Sequence, residues 1–182
     1  MAERGKPFGS VVAGLGTGVG LAVAGWSALG PDHPVFAVVA QAGFLLMALL
    51  VGPALVDVGR SRYRVRDTEP RVYALVGAEA VRRLLDSVGW NRIISRMRHS
   101  ESGSSMVSRF LRGTEQSETA HLLGAVATAL LAVLAAATGH AQGSAQILLT
   151  GLVLHGYPVM IQRMVRLKIV SRQTRTSPKP YC

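Results

Sequence analysis

The twenty Lys and Arg residues of this chain fall in three blocks, and the four longest apolar stretches lie between them. The first block is Arg4 and Lys6, the second runs from Arg60 to Arg112, and the third from Arg163 to Lys179. The segments 31–34 (Pro-Asp-His-Pro) and 139–144 (Gly-His-Ala-Gln-Gly-Ser) hold neither residue type. Short loops rich in Lys and Arg stay on the cytoplasmic side of a membrane. The pattern predicts a multi-pass membrane protein with four spans, both termini cytoplasmic, and one large polar loop on that same side.

A length of 182 residues would suit a soluble domain, but the apolar residues are distributed otherwise. A bilayer core takes about 20 mostly apolar residues per helix. Stretches of that kind occur at about 9–29, 35–56, 118–138 and 145–164. The expected fold class is an all-α membrane protein, a single integral domain over 1–182 with amphipathic cytoplasmic helices in section 58–117. The net charge of +10 does not indicate a nucleic-acid partner. The basic residues flank spans, where anionic lipid headgroups are the natural partners. The first stretch is too long for a signal-peptide core and is followed at once by a second span, so a retained hairpin is expected. Cys182 is the only cysteine, which excludes a disulfide within the chain.

In the first span Gly14, Gly16, Gly18 and Gly20 recur at every second position. Small residues four apart let membrane helices approach closely, either within the chain or in a homo-oligomer. No Lys-Ser/Thr follows, so a phosphate-cradling loop is disfavoured. Trp26 is placed where an indole can straddle the interface. Gly52-Pro53 predicts a kink in span two. Asp57 reads as an interfacial charge that partners Arg60 or Arg62. Residues 72–85, with Arg82 and Arg83 between apolar positions, suit one amphipathic helix on the membrane surface. A second such piece contains Trp90, Ile93, Ile94 and Met97, and residues 99–108 read as a mobile Ser/Gly-rich connection.

The polar residues of spans three and four carry the chemistry. Glu118 and His121 are three apart and share a helix face. His155 and Gln162 are seven apart and would share another, with Tyr157, Arg163 and Arg166 close by. Ionisable groups in a span are costly and usually face the protein interior. The expected site is a Glu, two His, a Gln and an Arg converging near the inner leaflet. Three chemistries fit. In acyl transfer a His takes a hydroxyl proton, a carboxylate orients the ring and polar donors stabilise the oxyanion. Metal binding is disfavoured: Glu-x-x-His is half of a di-iron site, and position 152 is Leu where the second half would need Glu. Acid–base cyclisation or isomerisation of an isoprenoid is the third. No cofactor is expected.

The segment Glu118-x-x-His121, followed by His155-Gly-Tyr-Pro-Val-Met-Ile-Gln162-Arg163-x-x-Arg166, resembles the glycosyl-4,4'-diaponeurosporenoate acyltransferase family. The stretch Glu69-Pro-Arg-Val-Tyr73 through Val81-Arg-Arg-Leu-Leu85 and Trp90 resembles that family's middle segment, and the likeness covers roughly 66–168. His155 stands where the family pattern suggests Asn, and Val165 where it suggests a second Asn. The resemblance implies a bacterial cytoplasmic-membrane enzyme acting on a long lipid of isoprenoid or glycolipid type, with an acyl-CoA-like donor. On that expectation His121 is the general base, Glu118 orients it, and His155 and Gln162 polarise the carbonyl. Tyr157 lines the substrate site, and Arg163 and Arg166, helped by Arg62 and Arg64, hold the donor's phosphates.

Overall fold

The computed structural model describes residues 6–56, 63, 69–87 and 104–176. Arg62, Arg64, Asp57, Trp90, Cys182 and the predicted second amphipathic piece lie outside the described residues. Every regular element among the described residues is helical: α1 Lys6–Leu29, α2 Pro34–Leu55, α3 Glu69–Leu75, α4 Ala78–Ser87, α5 Ser104–Ala137, α6 Ala141–Gly151, a wide π turn Leu152–Gly156, and α7 Tyr157–Thr176. Four stretches are long and apolar enough to cross a membrane: Phe8–Leu29, Pro34–Leu55, Arg112–Ala137 and Ala141–Leu167.

The chain divides into two compact units, each described here by itself. The first comprises Met1–Asp57 and Gln116–Val159, the second Val58–Glu115 and Met160–Cys182. In the first unit α1 packs along α2 through glycine. A methyl group at Gly14 would meet Val51 at 2.8 Å, and one at Gly18 would meet Met47 at 2.9 Å. The spacing of Gly14 and Gly18 therefore serves a contact within the chain, while positions 16 and 20 face open space. His33 caps α2, its Nδ1 accepting from the Val35 N–H at 3.2 Å, and Pro34 occupies the first turn, where a missing N–H costs nothing. Two residues past Pro53 the helix stops, with Val56 extended.

The core of this unit is built around Phe36, Ala37, Ala40, Phe44, Met47 and Ile147. Leu130, Val133 and Leu149 point outward and stay about two-thirds exposed, as side chains facing lipid would. Within the apolar interior Gln41 and Thr128 form a small polar bridge. The Thr128 hydroxyl donates to Gln41 Oε1 at 2.9 Å, and Gln41 Nε2 donates to the Ile147 carbonyl at 3.2 Å. Three helices are thereby pinned where no water can compete for the bonds.

In the second unit the helix predicted over 72–85 is two helices. Gly77 takes a positive φ of 78°, ending α3 and letting α4 start at Ala78. An L side chain disfavours that conformation, so the glycine marks the break. The Ser/Gly-rich stretch also differs from expectation: Ser104 and the residues after it are already part of α5, so Glu118 lies well inside the helix and caps nothing.

Candidate active site

The loop that joins α1 to α2 meets the start of α6 through a carboxylate. His140 Nδ1 lies 2.7 Å from Asp32 Oδ2, and the Gly143 N–H donates to Asp32 Oδ1 at 2.8 Å. These bonds, that from His140 first, hold the Asp32 carboxyl below its ordinary range. Trp26 stacks edge-on against both Phe36 and His140, with ring centroids 5.8 Å apart in each pair. Beside it an apolar groove of about 270 Å³ is lined by Ala22, Val23, Trp26, Ser27, Leu131 and Leu134.

Elsewhere in the same unit His121 of α5 meets His155 of the π turn. Their Nδ1 atoms are 3.4 Å apart and the rings are tilted by 56°. His155 has no exposed surface, whereas His121 is half-buried. The π turn has a local cause. Pro158 lacks an N–H for the carbonyl of Leu154, and a proline ring crowds the carbonyl four residues back. The backbone widens, and the Tyr157 N–H bonds to the Leu152 carbonyl five residues before it. Gly124, one turn after His121, makes the space: any Cβ there would overlap the His155 ring. The His155 Nε2 is buried with no hydrogen-bond partner among the described residues. Such wide turns concentrate at functional sites, and an unpartnered polar atom in a buried position is uncommon.

Glu118 is buried one turn before His121, next to Thr119 and Ala120, and Tyr157 is half-buried at the end of the π turn. The structure thus brings His121 and His155 into direct contact and keeps Glu118 on the same helix face as His121.

Gln162, Arg163 and Arg166 belong to the second unit, where the two arginines have protein partners. Arg163 donates through Nε and an Nη to both oxygens of Glu69 at 2.8 and 2.9 Å. The Tyr73 hydroxyl donates to the same carboxylate at 2.5 Å. Burial, then that bond, pushes the Tyr73 phenol up to about 12. Arg166 is nearly buried, donates to the Tyr63 carbonyl at 2.9 Å and to the Thr114 hydroxyl at 3.3 Å, and lies 5.4 Å over the Tyr63 ring. Among the described residues no group of three or more His, Cys, Asp or Glu side chains is arranged to hold a metal ion.

Sequence reasoning named both histidines but passed over Gln41, Thr128 and Glu69. For Gln41 a signal was present, a lone amide in an otherwise apolar span. For Glu69 there was none, since its partner lies 94 residues away.

An all-helical chain with four apolar spans and a paired imidazole site belongs to the class of small helical membrane proteins. Residues 59–174 match the glycosyl-4,4'-diaponeurosporenoate acyltransferase family, and the chain belongs to that family. It matches no curated protein and no solved structure.

Proposed function

We propose that the chain is a membrane-embedded acyltransferase that moves a fatty acyl group from a thioester such as acyl-CoA to a hydroxyl of a lipophilic acceptor, isoprenoid or glycolipid-like. The observation that carries this reading is the contact between the half-buried His121 and the buried His155, at 3.4 Å, in a member of an acyltransferase family. In the reaction His121 accepts the acceptor's hydroxyl proton as the oxygen attacks the thioester carbonyl. The C–S bond then breaks and the proton leaves with the thiolate. Glu118, buried one turn before His121 on the same helix face, helps to orient the base. Tyr157 and Gln162 remain candidate substrate contacts. The apolar groove beside Trp26 has room for part of a hydrocarbon chain.

The donor's phosphates fall to Arg62 and Arg64 in this proposal. Arg163 and Arg166, engaged by Glu69, Tyr63 and Thr114, contribute more to the build of the second unit. The exposed apolar residues of α3 and α4, Leu75 foremost at 88%, suit contact with the bilayer surface beside Arg71 and Arg83. The setting is a bacterial cytoplasmic membrane, in keeping with the family, with both termini inside on the strength of the Lys/Arg distribution.

Purified protein in lipid nanodiscs with radiolabelled acyl-CoA and a panel of lipid alcohols tests the reading. His121→Ala should retain its fold and lose turnover by about 10²- to 10⁴-fold. If no label moves while a polyprenyl substrate is cyclised or isomerised, acyl transfer is the wrong chemistry for this site. If changing both histidines affects no substrate, the chain is a non-catalytic subunit.

A further inference from the structure

Two neutral imidazoles can face each other Nδ1 to Nδ1 in only one way: one of the two nitrogens carries a hydrogen and the other a lone pair. Two hydrogens or two lone pairs at 3.4 Å would repel without compensation. The contact between His121 and His155 is therefore directional, and the surroundings of the rings bear on its direction. His155 is fully buried, and its ring lies in the space that the missing side chain of Gly124 leaves open. A lipid hydroxyl has no open surface of this ring to approach. His121 retains exposed surface. The His121 Nδ1 faces the His155 Nδ1, which leaves its Nε2 on the other side of the ring. The His155 Nδ1 can act as the acceptor, because a neutral imidazole keeps one bare ring nitrogen.

We infer that His155 is a positioning residue: its bare Nδ1 accepts a hydrogen bond from the Nδ1–H of His121 and so leaves the His121 Nε2 as the proton acceptor for the reaction. This rests on the acyltransferase reading and gives His155 a role different from carbonyl polarisation. The imidazole takes the place that a carboxylate holds in other base–orienter pairs, where it fixes tautomer and ring direction. The proton count closes. The hydroxyl proton moves to His121 Nε2 as the C–O bond forms, His121 passes through the imidazolium with its Nδ1–H still on His155, and Nε2 returns the proton to the departing thiolate. His155 remains neutral throughout. A neutral orienter suits a site inside a membrane, because a buried carboxylate would carry a far larger desolvation cost.

The test reads the tautomers directly. Full-length protein with ¹⁵N-labelled histidine in nanodiscs is examined by NMR, and signals are assigned with His121→Gln and His155→Asn. The expected result is His121 protonated at Nδ1 and His155 at Nε2. Replacement by His155→Leu should move His121 toward the Nε2–H form and lower kcat by about 100-fold, with KM for the acceptor within about twofold. His155→Asn, whose amide oxygen can accept the same bond, should keep the His121 tautomer and recover kcat to within about tenfold of the parent. A His121 protonated at Nε2 in the parent protein overturns the inference. So does one metal ion per chain whose binding is lost with either histidine. The NMR readout needs no turnover, so the expected tautomers in a protein that transfers no acyl group would leave the pairing standing and remove the acyltransferase reading alone.

Discussion

Three histidines in the first unit form two close side-chain pairs, and the pairs differ in what they face. His140 meets the Asp32 carboxylate at 2.7 Å, in a part-exposed turn where Gly143 completes the carboxylate's bonds. His155 pairs with another imidazole, has no exposed surface, and keeps one ring nitrogen without a hydrogen-bond partner among the described residues. The first arrangement satisfies its polar groups beside water and fastens a loop to a helix. The second leaves a buried ring nitrogen unsatisfied among the described residues, at a cost of about 1–3 kcal/mol. Histidine by itself carries no functional meaning. What separates the two sites is the neighbour's charge and the access of water.

The comparison breaks most sharply at the glycines beneath the two sites. Gly124→Leu would drive a side chain through the His155 ring. The expected result is a loss of turnover of about 100-fold or more together with about 1–3 kcal/mol of stability. Gly143→Leu would collide with the Pro31 carbonyl. It should lower stability by a similar amount, about 1–3 kcal/mol, while turnover per folded molecule stays within about twofold. Equal losses of turnover in the two variants would erase the distinction between a fastening and a reactive site.

Smaller changes sharpen it. Thr128→Val removes the hydroxyl that joins α5 to Gln41 on α2. A cost of about 1–2 kcal/mol in chemical denaturation is expected, because the Gln41 oxygen loses a partner inside the core. Activity at low temperature should be nearly unaffected. The smallest effect belongs to the exposed pair. Asp32 is held below its ordinary value of 3.8, so its bonds add stability above that pH. The contribution fades as the pH falls through the lower folded value, because the unfolded chain then binds the proton first. Asp32→Asn should flatten that part of the stability profile and leave the His121 tautomer unchanged. A changed tautomer would mean that the two pairs are coupled.

The second unit supplies a contrast for sequence reading. Arg163 and Arg166 were legible as cations near a membrane boundary, and that much follows from position alone. Their partners were not legible. Glu69 is 94 residues from Arg163, and the Tyr63 carbonyl is 103 from Arg166. Local spacing fixes which side chains share a helix face, but not which distant acceptor fills a guanidinium's hydrogen-bonding positions. The same limit explains the split of the 72–85 helix. Its apolar periodicity passes through Gly77, and only the observed positive φ shows that the chain turns there.

Span number, span position within a few residues, and the candidacy of Glu118, His121 and His155 were determined by the sequence alone. Hydrophobic length and the cost of burying ionisable groups are properties of short segments, so no tertiary contact is needed to read them. The tertiary structure decided that Gly14 and Gly18 serve α2, that His121 meets His155 rather than a carboxylate, and that the guanidinium of Arg163 is taken by Glu69. Each of these depends on two segments far apart in the chain arriving at one place. Pro158 stands between the two cases: its missing N–H is written in the sequence, but the seat that Gly124 leaves for the His155 ring is seen only in the fold.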